Sequence, residues 1–178
     1  MATVTINPGA LVNYRKTSVS QVEQTYLGYV SGDANYLVRL TINPAKKLKS
    51  LRVKMTWPYA TNVTLNTFRA ALTQTAGTTP PSSGYVSFKF TEDGEADVTL
   101  TQGIAAGTWY LWLWTAGTNG GFVRGTPTWT ITGETAGGVV KVKYGGEVKE
   151  AVPKVYKNGE WKTLSPRAYK SGAWKEMS

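Results

Sequence analysis

Short segments in which apolar and polar side chains alternate, each closed by turn residues, constrain the fold of this chain more than any other feature. From residue 51 to 57 every second side chain is apolar until Pro58, and residues 36–42 repeat the pattern, with Leu37 as the exception, before Asn43-Pro44. A period of two is typical of a strand with one buried face, and proline cannot donate to a strand ladder. Because such segments recur up to residue 134, the sequence predicts an all-β chain built as an antiparallel, jelly-roll-like β-sandwich.

Turn residues predict how some of these segments connect. Residues 86–90 alternate, Asp93-Gly94 supplies a tight turn, and Val98 with Leu100 continues beyond it, which predicts a β-hairpin over residues 86–100. Gly, Pro, Ser and Thr dominate residues 76–84 and predict an exposed loop. No long helix is predicted: apolar spacing over residues 19–30 is near-helical but rich in β-branched residues, and residues 66–71 fit a helical turn or a strand.

A change of composition at Thr135-Ala136-Gly137-Gly138 divides the chain. We predict a sandwich domain over residues 1–134, a linker over 135–138, and a hairpin arm over 139–178. Residues 1–138 contain 11 basic and 7 acidic side chains, whereas residues 139–178 contain 9 and 4, so most of the net charge of +9 lies in the arm. A cationic arm favours contact with an anionic surface or an acidic partner.

The arm contains an internal repeat. Residues 153–162 (PKVYKNGEWK) recur as residues 166–175 (PRAYKSGAWK), and a degenerate copy occupies residues 142–149. Each copy has an aromatic residue, a Gly-containing turn and then Trp or Val, which predicts a small hairpin in which Tyr156 faces Trp161. Because a two-stranded hairpin is marginal in water, we expect these units to dock on another surface through Tyr144, Tyr156, Trp161, Tyr169 and Trp174.

The repeat at Tyr156 to Lys162, echoed at Tyr169 to Lys175, resembles the C-terminal repeats of structural proteins from phages and prophages of Gram-positive bacteria. The resemblance is confined to the arm. It implies a virion protein of the tail, baseplate or capsid-accessory type that is assembled in the host cytoplasm. Its partners would be other virion proteins and further copies of itself, since virion components follow the symmetry of the particle. Cell-wall-binding repeats share the Trp after Asn-Gly but are longer and richer in Tyr-Tyr and Gly-Trp pairs.

The segment Trp109-Tyr110-Leu111-Trp112-Leu113-Trp114 is apolar on both faces if it is a strand. Trp109 and the two leucines then point one way, and Tyr110, Trp112 and Trp114 point the other way. One interpretation is a central strand buried under a loop flap, or a subunit interface, and we favour it. The alternative is an open platform that stacks on a glycan, with Trp129 as a neighbour.

Catalytic and cofactor chemistry is not indicated. The chain has no cysteine and no histidine, which excludes Ser-His-Asp and Cys-His catalysis and the commonest transition-metal ligand. Four carboxylates crowd residues 92–97, but a tight hairpin tip would splay them, so we predict a solvated tip and no metal, cofactor or glycosidase site. Lys46, Lys47 and Lys49, with Arg52 and Lys54, fit a solvated strand face, and nucleic-acid binding is disfavoured because no recognised module is visible.

The function predicted from the sequence is a non-enzymatic phage virion structural protein. Its sandwich would build the particle and its arm would attach to the particle or the host surface. The alternative is a carbohydrate-binding module that recognises a host cell-surface glycan through the aromatic strand. No run reaches about 18 apolar residues, so no membrane span is predicted. Residues 1–8 lack the basic and apolar regions of a signal peptide, so secretion by that route is not expected.

Overall fold

A computed structural model describes residues 3–15, 25–30, 35–115, 117, 119–135, 140–144, 147–151, 154–157, 159–163, 167–170 and 173–176. Among these residues there is no α-helix, and the one helical turn is a 3₁₀ turn at Val63–Leu65. The first twelve strands are β1 (Thr3–Ile6), β2 (Pro8–Arg15), β3 (Tyr26–Tyr29), β4 (Asn35–Ile42), β5 (Leu48–Thr56), β6 (Tyr59–Thr61), β7 (Phe68–Thr73), β8 (Val86–Phe88), β9 (Glu95–Leu100), β10 (Trp109–Thr115), β11 (Phe122–Arg124) and β12 (Thr128–Thr135). The last six are β13 (Val140–Tyr144), β14 (Glu147–Ala151), β15 (Lys154–Lys157), β16 (Glu160–Thr163), β17 (Arg167–Lys170) and β18 (Ala173–Glu176).

The first twelve strands form two antiparallel sheets. The four-stranded sheet has the order β1-β12-β5-β9. The eight-stranded sheet has the order β6-β11-β3-β4-β10-β7-β8, and β2 pairs with β4 as well. The all-β sandwich predicted from the alternating segments is therefore confirmed.

Alternation in the sequence becomes alternation of burial. On β5, Leu51, Val53 and Met55 are buried whereas Arg52 and Lys54 are exposed, and the strand ends before Pro58. The inward side chains of both sheets form one core, to which β10 contributes Trp109, Leu111 and Leu113. Residues 66–71, which fitted a helical turn or a strand, begin β7 instead, because Phe68 and Ala70 point into this core.

The hairpin predicted over residues 86–100 is wrong. β8 pairs with β7 in the eight-stranded sheet, whereas β9 pairs with β5 in the four-stranded sheet. The local turn does form, with the Gly94 N–H donating to the Thr91 carbonyl at 3.0 Å. Alternation identifies a strand and its buried face but not its partner, and the ring of Phe88, 5.8 Å from that of Phe68, holds β8 in the other sheet.

The arm forms three two-stranded sheets, β13–β14, β15–β16 and β17–β18. Tyr156 lies opposite Trp161, and Tyr169 lies opposite Trp174, as the repeat predicts. Thr135, which the sequence placed in the linker, is the last residue of β12 and pairs with Leu48. Residues 136–139 lie outside the described part of the chain, and the division into domains stays a prediction.

Candidate functional site

The aromatic strand β10 divides its side chains between two clusters, as its period predicts. Trp109, Leu111 and Leu113 lie in the core between the sheets. Trp112 and Trp114 belong to a second cluster on the outer face of the eight-stranded sheet, with Tyr110 packed against it. Trp112 is 1% exposed and Trp114 is 8% exposed. The outer face of this sheet, and not the inner core, is therefore where most of the predicted platform residues lie.

Neighbouring side chains and a loop cover these rings. Tyr14 from β2 lies 6.0 Å from Trp112, and Tyr85 lies 5.7 Å from Trp114, each measured between ring centroids. The loop between β7 and β8 crosses this face, and its Gly77 carbonyl accepts a hydrogen bond from the guanidinium of Arg39. Of the two interpretations left open by the sequence, the geometry matches a strand buried under a flap. We call this part of the outer face the closed half.

Arg39 is the centre of the closed half. Its guanidinium carbon lies 5.4 Å from the Tyr14 ring, 5.1 Å from the Tyr110 ring and 5.5 Å from the Trp112 ring. The indole N–H of Trp112 donates to the Thr73 hydroxyl at 3.0 Å. Cation–π attraction strengthens when the cation is removed from water, so Arg39 stabilises the packing of these rings. Trp129 is not their neighbour, since it packs edge-on against Trp57 on the core side of β12.

A second group of rings lies towards the other edge of the eight-stranded sheet. On these strands the side chains next to the rings, Ala60 on β6, Val123 on β11 and Leu27 on β3, pack into the core. Because neighbouring side chains on a strand point to opposite faces, the rings of Tyr59, Phe122 and Tyr26 point away from that core. The Phe122 ring lies 6.1 Å from Tyr59 and 5.8 Å from Tyr26. Arg124 stands opposite both tyrosines in register and lies 4.1 Å above the Tyr59 ring. We call Tyr59, Phe122, Tyr26 and Arg124 the aromatic shelf.

Two features of the backbone position the aromatic shelf. Gly28 lies opposite Phe122 with φ of 125°, and a Cβ there would approach the Gly121 carbonyl to 2.4 Å, so only glycine lets β11 lie this close to β3. Buried Asn13 fixes Tyr26 by donating to its carbonyl at 2.6 Å and accepting from its N–H at 3.1 Å. Sequence reasoning missed this shelf because its residues come from three short strands far apart in the chain.

The outer face of the four-stranded sheet is polar. Its outward residues include Thr5, Thr132, Arg52 and Thr99, which stand in one row across the four strands. Arg52 makes a bidentate ion pair with Asp97, at 2.9 Å from Nε to Oδ1 and 2.6 Å from Nη2 to Oδ2. This pairing lowers the pKa of the Asp97 carboxyl and raises the pKa of Arg52. An open groove of about 630 Å³ on this face is lined by Thr3, Ser50, Arg52, Asp97, Thr99, Thr132, Gly133 and Glu134.

The predicted acidic tip does not converge on a metal site. Glu95 and Asp97 lie on β9, and Asp97 is engaged by Arg52. In the described residues no group of three or more His, Cys, Asp or Glu side chains could hold a metal ion. Lys46, Lys47 and Lys49 are exposed, in keeping with a solvated face. No helix in the described part of the chain is long and apolar enough to cross a membrane.

The docking residues predicted in the arm are only partly described. Tyr156 is 60% exposed on β15. For Tyr144, Trp161, Tyr169 and Trp174 the structure describes the backbone, and their side-chain placements lie outside it. The docking role of all five residues stays a prediction.

No protein-family model matches this chain, and no curated protein matches it. Among solved structures, the catalytic unit of the thermostable GH87 alpha-1,3-glucanase from Streptomyces thermodiastaticus strain HF3-3 is similar to it, with a TM-score of 0.32 and 11% sequence identity. The match covers 76% of this chain and 28% of that chain. A likeness this weak assigns no activity.

Proposed function

We propose that the chain is a non-enzymatic structural protein of a phage particle, in which the sandwich forms the body and the arm attaches to other virion proteins. The main support is the run of three separate two-stranded hairpins after the sandwich. Each two-stranded unit has too little buried area to be stable alone in water. An arm made of such units needs a partner surface to remain folded.

The residues of the arm suit this attachment role. Tyr156, with 60% of its surface exposed, offers the large contact area and polar tip that favour aromatic residues at interfaces. Residues 139–178 contain 9 basic and 4 acidic side chains, which would lie around the aromatic residues and favour an acidic docking surface. The protein would act in the virion as a homo-oligomer, in keeping with the symmetry of such particles.

The carboxylates of the sandwich also fit a structural role better than a hydrolytic one. A glycosidase needs one carboxyl whose pKa is raised, close to a second carboxyl across a cleft. Asp97 and Glu134 line the same groove, but β5 separates their strands and Arg52 lowers the pKa of Asp97. A carboxyl held ionised in this way is an ion-pair partner and not a general acid.

Incorporation into particles tests the proposal. Replacing both Tyr156 and Trp161 with alanine should lower the amount of protein in purified particles at least tenfold, because interface aromatic residues each contribute about 2 kcal/mol or more. Leu65→Ala, which removes a side chain 61% exposed on the sandwich, is the matched control and should leave incorporation unchanged. Deletion of residues 139–178 should abolish incorporation. Normal incorporation of the deleted protein, measured by quantitative mass spectrometry, would refute the attachment role.

Carbohydrate binding is a second candidate, but not at the residues first predicted for it. Trp112 is covered in the closed half, with 1% of its surface exposed, so a sugar ring could not reach it. The aromatic shelf on the same sheet has one exposed ring, Tyr59, beside two half-buried rings, which is the observation that favours this candidate.

A further inference from the structure

The aromatic shelf contains a more exposed ring than any in the closed half. Tyr59 is 44% exposed and is the one exposed aromatic side chain among the described residues of the sandwich. Phe122 and Tyr26 are half-buried beside it, on adjacent strands. The three rings form a row across neighbouring strands, with angles of 32° between Tyr59 and Phe122 and 51° between Phe122 and Tyr26. Such a surface suits an extended polymer better than a small molecule, which prefers a concave pocket.

The three strands that form the aromatic shelf contain one basic residue, Arg124, and no acidic residue. The described strands of the eight-stranded sheet contain four arginines, Arg15, Arg39, Arg69 and Arg124, and no Asp or Glu. Arg124 makes no ion pair with any described carboxylate, and its guanidinium lies over the Tyr59 ring. A guanidinium so placed can donate hydrogen bonds to a ligand carboxylate while the ligand packs on the neighbouring Phe122 ring.

The ratio of aromatic rings to positive charges in the aromatic shelf distinguishes between two classes of anionic polymer, single-stranded nucleic acid and acidic polysaccharide. Single-stranded nucleic acid has one phosphate per nucleotide, and its binding sites follow that backbone with a continuous basic groove. The strands that form the aromatic shelf offer three rings, Tyr59, Phe122 and Tyr26, and one cation, Arg124. A polysaccharide with scattered carboxylates matches this ratio, because its sugar faces stack on rings and its hydroxyls can bond the tyrosine hydroxyls.

From this arrangement we infer that the aromatic shelf is a binding site for an acidic polysaccharide, one that contains uronic acid units. Tyr59 and Phe122 stack on sugar rings, and Arg124 pairs with the uronate carboxylate. The inference rests on the second candidate function, carbohydrate binding. Because the site lies on the sandwich, it does not rest on the attachment role of the arm.

Binding of the full chain to three soluble polymers, measured by isothermal titration calorimetry, tests the inference. Polygalacturonate fragments represent the acidic polysaccharide, dextran is the neutral polysaccharide, and poly(dT) is the nucleic acid. We expect binding to polygalacturonate that weakens with salt, and none to dextran. Tyr59→Ala and Arg124→Gln should each lower the affinity about tenfold, the effect of losing one stacked ring or one charge-assisted hydrogen bond.

Matched variants control for unfolding and for net charge. Arg52→Gln removes one positive charge from the four-stranded sheet and should bind polygalacturonate as the unchanged protein does. Arg124→Lys keeps the positive charge but loses the planar guanidinium, so it should bind polygalacturonate less tightly. Circular dichroism checks the fold of each variant. Absence of polygalacturonate binding, or equal binding by Tyr59→Ala, would overturn the inference. Tighter binding of poly(dT) than of polygalacturonate would indicate that the aromatic shelf is a nucleic-acid surface. A change of oligomeric state in Tyr59→Ala would indicate that it is a subunit interface. Either result would also overturn the inference.

Discussion

The two outer faces of this sandwich are built on the same strand geometry and have opposite chemistry. Strands of the eight-stranded sheet contain four arginines and no described Asp or Glu, and aromatic rings fill their outer face. Strands of the four-stranded sheet contain three basic and three acidic residues, and threonines such as Thr5, Thr99 and Thr130 fill theirs. Since both faces share one core, the difference is not required by folding.

The aromatic face is itself divided. In the closed half, loop residues and Arg39 cover the rings, so these rings stabilise the fold. In the aromatic shelf, Tyr59 is 44% exposed although Arg124 lies over its ring. The packing of the closed half serves stability, whereas we infer ligand contact at the aromatic shelf, and mutations can test this division.

The largest expected effect comes from the closed half. Trp112→Ala should lower the free energy of unfolding by about 3–5 kcal/mol, because it opens a cavity under Tyr14 and Tyr110. Thr130→Ala, an exposed position on the four-stranded face, should change it by less than about 0.5 kcal/mol. Urea denaturation measures both. A loss for Trp112→Ala as small as that for Thr130→Ala would mean that the outer cluster does not stabilise the fold.

A smaller effect is expected at the floor of the aromatic shelf. Gly28→Ala places a Cβ 2.4 Å from the Gly121 carbonyl at φ of 125°, and should cost about 1–3 kcal/mol or more while shifting Phe122. Gly107→Ala is the matched control, since Gly107 has φ of 116° but open space around the same position. Gly107→Ala should therefore lose only the stability that a positive φ costs a residue with a Cβ, with no steric clash. Equal losses in thermal denaturation would show that β11 and β3 do not approach as closely as described.

The smallest effect concerns the polar face and depends on pH. The pKa of Asp97 is lowered by Arg52, so the ion pair stabilises the folded state above the ordinary carboxyl pKa of about 3.9 and is lost as pH falls through the lower folded value. Asp97→Asn should therefore reduce the Tm at neutral pH, and the difference should shrink in acid. Arg52→Gln should give the same pH profile. A difference that persists at low pH would assign the effect to packing and not to charge.

Local patterns in the sequence predict the strands and their faces well. The period of two fixes which side chains of β5 and β10 enter the core, and Pro58 fixes where β5 ends. The Gly-containing repeats predict the register of Tyr156 with Trp161 because a short turn leaves little choice of pairing.

Long-range pairing was less predictable. The turn at Asp93-Gly94 looked like a hairpin, yet the rings of Phe68 and Phe88 draw β8 into one sheet while β9 pairs in the other. The aromatic shelf could not be predicted for the same reason: its residues lie on β3, β6 and β11, which only the sheet order brings together. One signal was available, since Phe122-Val123-Arg124 has the alternation of a strand with an aromatic and a cation on one face.

Hydroxyl-radical footprinting of the aromatic residues is the most direct test, comparing the free chain, purified particles, and particles with polygalacturonate. We expect Tyr156 to become protected from oxidation when the protein is incorporated into particles. Tyr59 should stay reactive in particles and become protected from oxidation only when the polysaccharide is added. Equal oxidation of Tyr156 in free and assembled protein would contradict attachment through the arm. Unchanged oxidation of Tyr59 with the polysaccharide would contradict the aromatic shelf as its binding site.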